Sequence, residues 1–498
     1  MCNVTILDGT NKKIIRAEKG TLLSDLLVRI LPSFPLPCSG NHTCGKCRVK
    51  AEGALSPVSS AELRLLSESD RRSGIRLSCA ARIDGDVTVT LPHRGGEKII
   101  AWYHLPEYDR TEEGFGFAVD IGTTTVALQL IDRKSGRILA GRVAENAQRG
   151  FGADVISRIE ASKKQGVSVL SGRIADQLEE MAASCIQETG IRRIDESVVT
   201  GNSTMLHLYE GLDPSSLAVV PFRTVSNFGM RSRRTLAGAP VYLPRCVSAY
   251  VGADITCAVL AADLLKCRTG LLADIGTNGE MMLIHKGKLF CCATAAGPAF
   301  EGAGLSCGMP AAPGAIRAVS LQGCEVTYDT IAGKTPSGIC GSGILDALAV
   351  MLEKGDMDDS GYLECENGWT IGSSGVVITQ KDVRQIQLAK AAVCGGILTL
   401  LDAEHLSAGS VERFFIAGGF GNSMNTSSAS AIGLFPGELE SRAVFIGNAA
   451  LGGAAMLLMN RSLRIETEKR AAEAVEISLS GNAAFTDNYV DCMAFDFF

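Results

Sequence analysis

The sequence predicts two unlike folds in tandem: a small α+β domain over residues 1–92 and a two-lobed α/β domain over residues 114–498, joined by a linker over 93–113. Three observations predict this. Four cysteines, Cys38, Cys44, Cys47 and Cys79, fall within the first ninety or so residues, three of them on one glycine-bearing loop. A strand–turn–strand pattern centred on Asp-Ile-Gly-Thr occurs at 116–130 and returns at 270–284. Between the domains the chain is charged and turn-rich, in His93-Arg-Gly-Gly-Glu-Lys98 and again in Pro106–Gly114. A length of 498 residues also exceeds one core, which rarely grows past about 250–300 residues.

In the first domain, Asn3–Asp8 alternates apolar and polar residues, Asp8-Gly9 marks a turn, and Lys13–Ala17 reads as a second strand. Thr21 can cap a helix whose Leu22, Leu23, Leu26, Leu27 and Ile30 form one apolar stripe. Arg76–Leu77 and Val87–Leu91 supply returning strand, with Asp84-Gly85 as a hairpin signal. The cysteines are spaced C-x5-C-x2-C, with the fourth about thirty residues on. Three thiolates on one tight loop and a distant fourth satisfy both irons of a [2Fe–2S] cluster, and the loop glycines let backbone N–H groups turn towards the sulfurs. Two strands, a helix, a metal loop and returning strands describe a β-grasp ferredoxin, and the spacing resembles the adrenodoxin and putidaredoxin branch. A structural zinc site is the competing reading of Cys44-x-x-Cys47, although zinc ribbons pair two such motifs and Cys79 stands alone. His42, inside the loop, reads as solvated. The other thirteen of the seventeen cysteines lie mostly in apolar context and read as small buried hydrophobes.

The linker is expected to be partly anchored, with Ile99–Tyr103 docking on a neighbour, and long enough to let the first domain swing. Beyond it, Gly116-Phe-Ala-Val-Asp120-Ile-Gly122-Thr123-Thr124 and Gly270-Leu-Leu-Ala-Asp274-Ile-Gly276-Thr277-Asn278-Gly279-Glu280 are two copies of one hairpin, and an internal duplication is far more specific than either copy alone. The glycines permit a turn close to phosphate, the hydroxyls and N–H groups can hold its oxygens, and each aspartate can hold Mg²⁺ through water. A third glycine cluster, Phe414-Phe-Ile-Ala417-Gly418-Gly419, follows an apolar strand and suits a planar ligand lying on backbone. A fourth, Gly338-Ile-Cys-Gly341-Ser-Gly343, opens an apolar helix and could meet phosphate at its N-terminus. No Walker A motif exists: Gly333-Lys334-Thr335 has Tyr328 where that motif needs glycine.

These hairpins, with Ile416-Ala-Gly-Gly419, resemble the acetate kinase, sugar kinase, Hsp70 and actin superfamily of ATPases. Fused to a [2Fe–2S] ferredoxin, they resemble the reductive activators of corrinoid proteins. The runs Asn146–Asp154, Gly201–His207 and Ala295–Gly304 are similar to that group's signatures. The resemblance implies an actin-like (ribonuclease H-like) ATPase fold, with one lobe at about 114–250 plus C-terminal elements and the other at about 251–470. It implies Cys38, Cys44, Cys47 and Cys79 as cluster ligands, and Asp120 and Asp274 on Mg²⁺ and water. Gly122, Thr123, Thr124, Gly276, Thr277 and Asn278 would surround the phosphates, and Gly418 and Gly419 would lie against adenosine. Glu280 is a candidate for orienting water or holding metal, with a solvated hairpin end as its bland alternative. His207 reads as a satisfied buried histidine, and Glu301 draws notice from its place in a family-like run. Some relatives carry a small module between linker and ATPase. Here the first hairpin follows the linker directly, so no role of that module is carried over.

The activity implied is an ATP-dependent one-electron reduction of Co(II) corrinoid to Co(I), with a corrinoid protein as partner, an upstream low-potential electron donor, and a homodimer left open. Two rival readings are an ATP-driven electron donor to another low-potential metalloenzyme and a redox-gated small-molecule kinase. A net charge of −6 gives no basic footprint for nucleic acid. The apolar runs near 391–401 and 449–459 are short and glycine-broken against the roughly twenty residues a bilayer needs. No signal peptide is evident at the N-terminus, so a cytoplasmic protein with no membrane partner is expected.

Overall fold

Alternating burial builds the first domain from strands β1 (Cys2–Asp8) and β2 (Asn11–Ala17), which pair as a hairpin with Val4 and Ile6 inward. The computed structural model describes residues 1–8, 11–30, 34, 40, 42, 45, 47–91, 103–418 and 424–495. Helix α1 (Leu23–Ile30) lays Leu23, Leu26 and Leu27 on the sheet. Strand β3 (Arg48–Leu55), helices α2 (Ser60–Leu65) and α3 (Glu68–Arg72), and strands β4 (Ile75–Leu77) and β5 (Ile83–Thr90) complete a sheet of order β2-β1-β5-β3-β4. The hairpin expected at Asp84-Gly85 does not form, because both residues lie inside β5. A glycine is needed there for another reason. A Cβ on Gly85 would stand 2.8 Å from Ala54 Cβ, where β3 bulges between Gly53 and Leu55.

Two capping boxes start the short helices, Ser59 with Glu62 and Ser67 with Asp70. Glu62 does more than cap. Fully buried, it pairs with Arg76 at 2.8 Å and accepts the N–H groups of Ser59 and Leu77. Glu62→Ala strands Arg76 beside the core and is expected to destabilise this domain by about 3 kcal/mol. A lower urea midpoint for the loss of its visible absorption, with unfolding of the larger domain unchanged, is the measurement that checks it.

The second domain opens with an antiparallel meander, β6 (Phe115–Ile121), β7 (Thr125–Asp132) and β8 (Ile138–Glu145), covered by α4 (Val155–Gln165) and α5 (Val167–Thr189). Strand β9 (Glu196–Gly201) returns parallel to β6; α6 (Ser203–Glu210), β10 (Met230–Leu236) and β11 (Ala239–Leu243) follow, giving the order β10-β11-β9-β6-β7-β8. After α7 (Ala253–Ala261) the plan repeats with β12 (Thr269–Ile275), β13 (Gly279–His285) and β14 (Lys288–Thr294). An insertion adds a three-stranded sheet of β15 (Ala315–Gln322), β16 (Glu325–Thr330) and β17 (Gly338–Ile339), then α8 (Gly341–Lys354) and a small ribbon of β18 (Trp369–Thr370) and β19 (Val377–Ile378). Helix α9 (Gln380–Ala403) leads to β20 (Arg413–Gly418), parallel to β12, then α10 (Thr426–Ala431) and β21 (Ala443–Gly447). The chain ends with α11 (Ala449–Met459), α12 (Ser462–Glu473), β22 (Val475–Glu476) and α13 (Ala483–Asp491). The second sheet runs β21-β20-β12-β13-β14-β22, so residues 475–491 return to this lobe.

Helices α7 and α11 lie between the two sheets. Ala118, Ala127 and Val198 of the first sheet pack on Leu451, Ala454 and Leu458, while Leu272, Met282 and Ile284 of the second pack on Ile255, Ala258 and Val259. The helices touch backbone to backbone, since a Cβ on Gly453 would lie 1.9 Å from Cys257 O. Residues 103–113 are strapped to this layer. Tyr103 forms a β-bridge with Gly447 and its hydroxyl donates to Gln129 at 2.6 Å; the Thr111 and Glu112 N–H groups donate to Met459 O; Arg133 joins Glu112 and the buried Glu196. Residues 92–102, Trp102 among them, lie outside the described residues.

Helix α9 is long and apolar enough to cross a membrane by length and composition, yet 78% of its apolar window is buried inside the protein. Cys185, Cys246, Cys257, Cys291, Cys292, Cys340, Cys394 and Cys492 are buried, as small hydrophobes would be, whereas Cys324 and Cys365 are exposed.

Candidate functional site

The duplicated hairpins fold the same way because each pairs a Val/Ile/Leu-rich strand with its neighbour in continuous antiparallel register, Asp120 opposite Ala127 and Asp274 opposite Glu280. Their tips meet across the cleft between the lobes: Thr124 Oγ1 and Thr277 Oγ1 are 3.1 Å apart. Each tip is held from behind. Asn146 Nδ2 donates to Gly122 O (2.8 Å), Asn202 Nδ2 donates to Thr123 Oγ1 (3.0 Å), and the buried Arg158 guanidinium donates to Thr123 O. On the other tip Thr277 Oγ1 donates to Glu301 at 3.1–3.2 Å, and Gly297 N–H donates to Thr277 O.

Parallel pairing adds a matched pair of glycines. Gly201 ends β9 beside Ile121 of the first motif, and Gly418 ends β20 beside Ile275 of the second. Their φ angles are +156° and +129°, and a Cβ would come within 2.6 and 2.2 Å of the carbonyl oxygen of Ile121 and of Ile275 respectively. Bare backbone therefore borders the cleft from both lobes. Gly419 lies outside the described residues. The glycines near 341 open α8 against β15, where Ser342 Oγ donates to Arg317 O.

Close to the tips stand four carboxyl groups, of which Asp120, Asp254 and Asp274 are half-buried and Glu280 is buried. Burial, and then Asp254, Asp120 and Glu301, push Asp274 up to about 8. Asp120 rises to about 7, chiefly by burial and against a 2.8 Å hydrogen bond from Asn448 Nδ2, with Asp254 adding to the rise. Burial lifts Asp254 to about 6 against the Ile255 N–H, which donates to it. Glu280 is buried rather than a solvated hairpin end, and burial with Asp254 and Asp274 raises it well above the carboxylate range. Mutually destabilised carboxylates of this kind are relieved by a cation. Among the described residues no three of these groups converge tightly enough to cage a metal directly.

Asp254 and Asn448 carry no motif of the kind that marked the hairpins. The signal for Asp254 is a lone charge in the first turn of α7, among Ala253, Ile255 and the apolar residues after them. Asn448 caps α11 directly after β21. His207 is structural: Nδ1–H donates to Ser203 O (2.6 Å), Nε2 accepts the N–H of Val225 (3.2 Å), and burial depresses its basicity.

In the first domain Cys47 and Cys79 are buried with their sulfurs 3.2 Å apart, close enough to share one iron. The Cys47 thiol falls to about 6, chiefly through its hydrogen bond with Cys79 and against burial, with the Ser78 hydroxyl contributing. Arg48 and Arg64 hold the loop by donating to Gly45 O and His42 O. The His42 ring is not merely solvated, since Nε2 hydrogen-bonds Cys79 O at 2.9 Å. Cys38 and Cys44 lie outside the described residues.

Three family models match in succession: a 2Fe-2S iron-sulfur cluster binding domain over residues 5–84, the RACo middle region over 115–267, and the C-terminal ASKHA domain of RACo over 268–497. The middle region takes in β6 through α7. The first of these models supports the [2Fe–2S] reading of the cysteines over zinc. Corrinoid activation enzyme RamQ of Eubacterium limosum is 34% identical over 404 residues, 74% of this chain and 67% of that protein. A reductase of methylated amine-specific Co(II) corrinoid protein from Methanosarcina barkeri is 25% identical over 386 residues, 70% of each chain. The solved structure of a reductive activator for corrinoid, iron-sulfur protein superposes with a TM-score of 0.70 at 28% identity, covering 99% of this chain and 98% of the other.

Proposed function

Because the chain belongs to the RACo family, with its 2Fe-2S, middle and ASKHA domains in that order, we propose that it is an ATP-dependent reductase that returns a Co(II) corrinoid protein to Co(I) for methyl transfer. The observation that carries this reading is the meeting of the two Asp-Ile-Gly-Thr tips, Thr124 against Thr277, on a chain that also carries an iron–sulfur domain.

Cys38, Cys44, Cys47 and Cys79 would hold a [2Fe–2S] cluster, whose chemistry is the transfer of single electrons. In the cleft, the N–H and hydroxyl groups of Gly122, Thr123, Thr124, Gly276, Thr277 and Asn278 surround the triphosphate. Asp120 and Asp274, with Asp254, would hold Mg²⁺, whose charge would offset that of the phosphates, and Glu280 would orient the attacking water. Gly418 and Gly419 leave room for adenosine. Glu301 aims Thr277 through its hydrogen bonds. Residues 1–92 act as the delivery domain, and of the linker over 93–113 only the part before Tyr103 is left to act as its tether, since 103–113 is strapped to the larger domain. An upstream low-potential donor reloads the cluster, and the protein works in the cytoplasm.

Energy explains why both halves are needed. A plant-type cluster sits near about −400 mV, and delivery to an acceptor about 100 mV more negative costs about 2.3 kcal/mol. Nucleotide-driven closure of the lobes can offset that cost by favouring a bound state in which cobalt is easier to reduce. With a Co(II) corrinoid protein and dithionite-reduced enzyme, the Co(I) absorption band is expected to grow only when ATP is added, alongside release of free phosphate that rises with the corrinoid protein. Cobalt reduction of equal rate and extent without ATP refutes the coupling. A phosphorylated small molecule in place of free phosphate favours the kinase.

A further inference from the structure

Ser78 sits directly before the last cluster cysteine, has no exposed surface, and uses both of its backbone groups: its N–H donates to Cys47 O (3.0 Å), and its C=O accepts from Ser24 N–H (2.9 Å). Its hydroxyl alone is unsatisfied, one of only five buried side-chain polar atoms among the described residues with no partner. A buried hydroxyl without a partner is a cost that selection removes by substituting alanine, and the turn that follows already accepts methyl-sized side chains at Ala80 and Ala81. The hydroxyl stands beside the Cys47 sulfur without a hydrogen bond of ordinary geometry to it. The buried Cys47 and Cys79 thiols fit one iron of such a cluster, and the orphaned hydroxyl fits a donor that finds its acceptor when sulfur carries negative charge.

We propose that the Ser78 hydroxyl donates a hydrogen bond to the Cys47 thiolate of the iron–sulfur cluster and so sets its reduction potential. The reduced cluster carries one more negative charge than the oxidised one, so an O–H···S bond favours the reduced state and raises the potential. Two opposed effects follow: the donor loads the cluster more easily, and the step to cobalt becomes more uphill. The inference rests on the iron–sulfur domain alone and stands or falls apart from the ATPase reading.

The test uses the full chain, reconstituted anaerobically with iron and sulfide, in a dye-mediated redox titration followed by visible absorption. In Ser78→Ala the reduced-to-oxidised ratio at fixed potential is expected to fall about fivefold, equivalent to a midpoint about 40 mV more negative at 59 mV per tenfold. Ser78→Thr, which keeps the hydroxyl, is expected to titrate like the wild type. After exchange into D₂O, pulsed EPR of the reduced protein should show a deuteron coupling in wild type and Ser78→Thr that is missing from Ser78→Ala. Ser78→Gly serves as a second hydroxyl-free variant should the alanine protein not take up the cluster. A wild-type midpoint in either hydroxyl-free variant, or an undiminished deuteron coupling, overturns the proposal.

Discussion

Asp274→Asn is expected to lower ATP turnover by about ten- to a hundredfold, the order of loss when a carboxylate that positions a metal is removed, while the visible iron–sulfur spectrum stays unchanged. The same substitution should make the nucleotide-free protein more stable. Asp274 is pushed up to about 8 by burial and then by Asp254, Asp120 and Glu301, and Asp120 to about 7 by burial with Asp254 adding to it. Groups raised in this way bind protons in the folded state that the unfolded chain releases. Their stabilising share is therefore complete below the ordinary carboxylate range near 4 and drains away as pH climbs through 7 and 8. Without metal, the melting temperature of the wild type should fall across that window. The asparagine protein, with one charge fewer in the cluster, should fall less and melt a few degrees higher at pH 8. Mg²⁺ with nucleotide should raise the wild type far more than the variant. An asparagine protein that hydrolyses ATP at the normal rate, or that melts lower at pH 8, removes Asp274 from this role.

The second large effect is structural. Gly453→Val is expected to cost at least about 4 kcal/mol, because its Cβ would fall 1.9 Å from Cys257 O with further backbone atoms of Cys257 within 2.6 Å. Backbone cannot rotate aside as a long side chain can, so α7 and α11 must separate, and with them the two sheets. The larger domain should express poorly or unfold at much lower urea. The iron–sulfur domain, whose core shares no residue with these helices, should keep its absorption. A variant with wild-type urea resistance means the helices do not meet here.

What was legible in the sequence follows from how tightly the chemistry fixes spacing. Four cysteines must converge on one cluster, and a phosphate hairpin needs Asp, Gly and Thr at fixed offsets, so both announce themselves locally. Asp254 and Asn448 reach Asp120 from 134 and 328 residues away through parallel pairing and helix packing, and single residues that arrive this way leave no pattern. Turn chemistry misled in one place, where Gly85 yields space to Ala54 instead of reversing the chain. The short helices at Ser60 and Glu68 were announced by Ser59-x-x-Glu62 and Ser67-x-x-Asp70, a signal overshadowed by the nearby cysteines.

Tyr103 makes the point of attachment more than a fastening. Its backbone is joined to Gly447 at the end of β21 in one lobe, and its hydroxyl to Gln129 of β7 in the other. A single residue that grips two bodies works as a strain gauge: it keeps both bonds only while the spacing of the bodies stays fixed. Any rotation of the lobes that pulls β21 from β7 must break one grip. The segment leading to the first domain therefore joins the larger domain at a residue that both lobes hold.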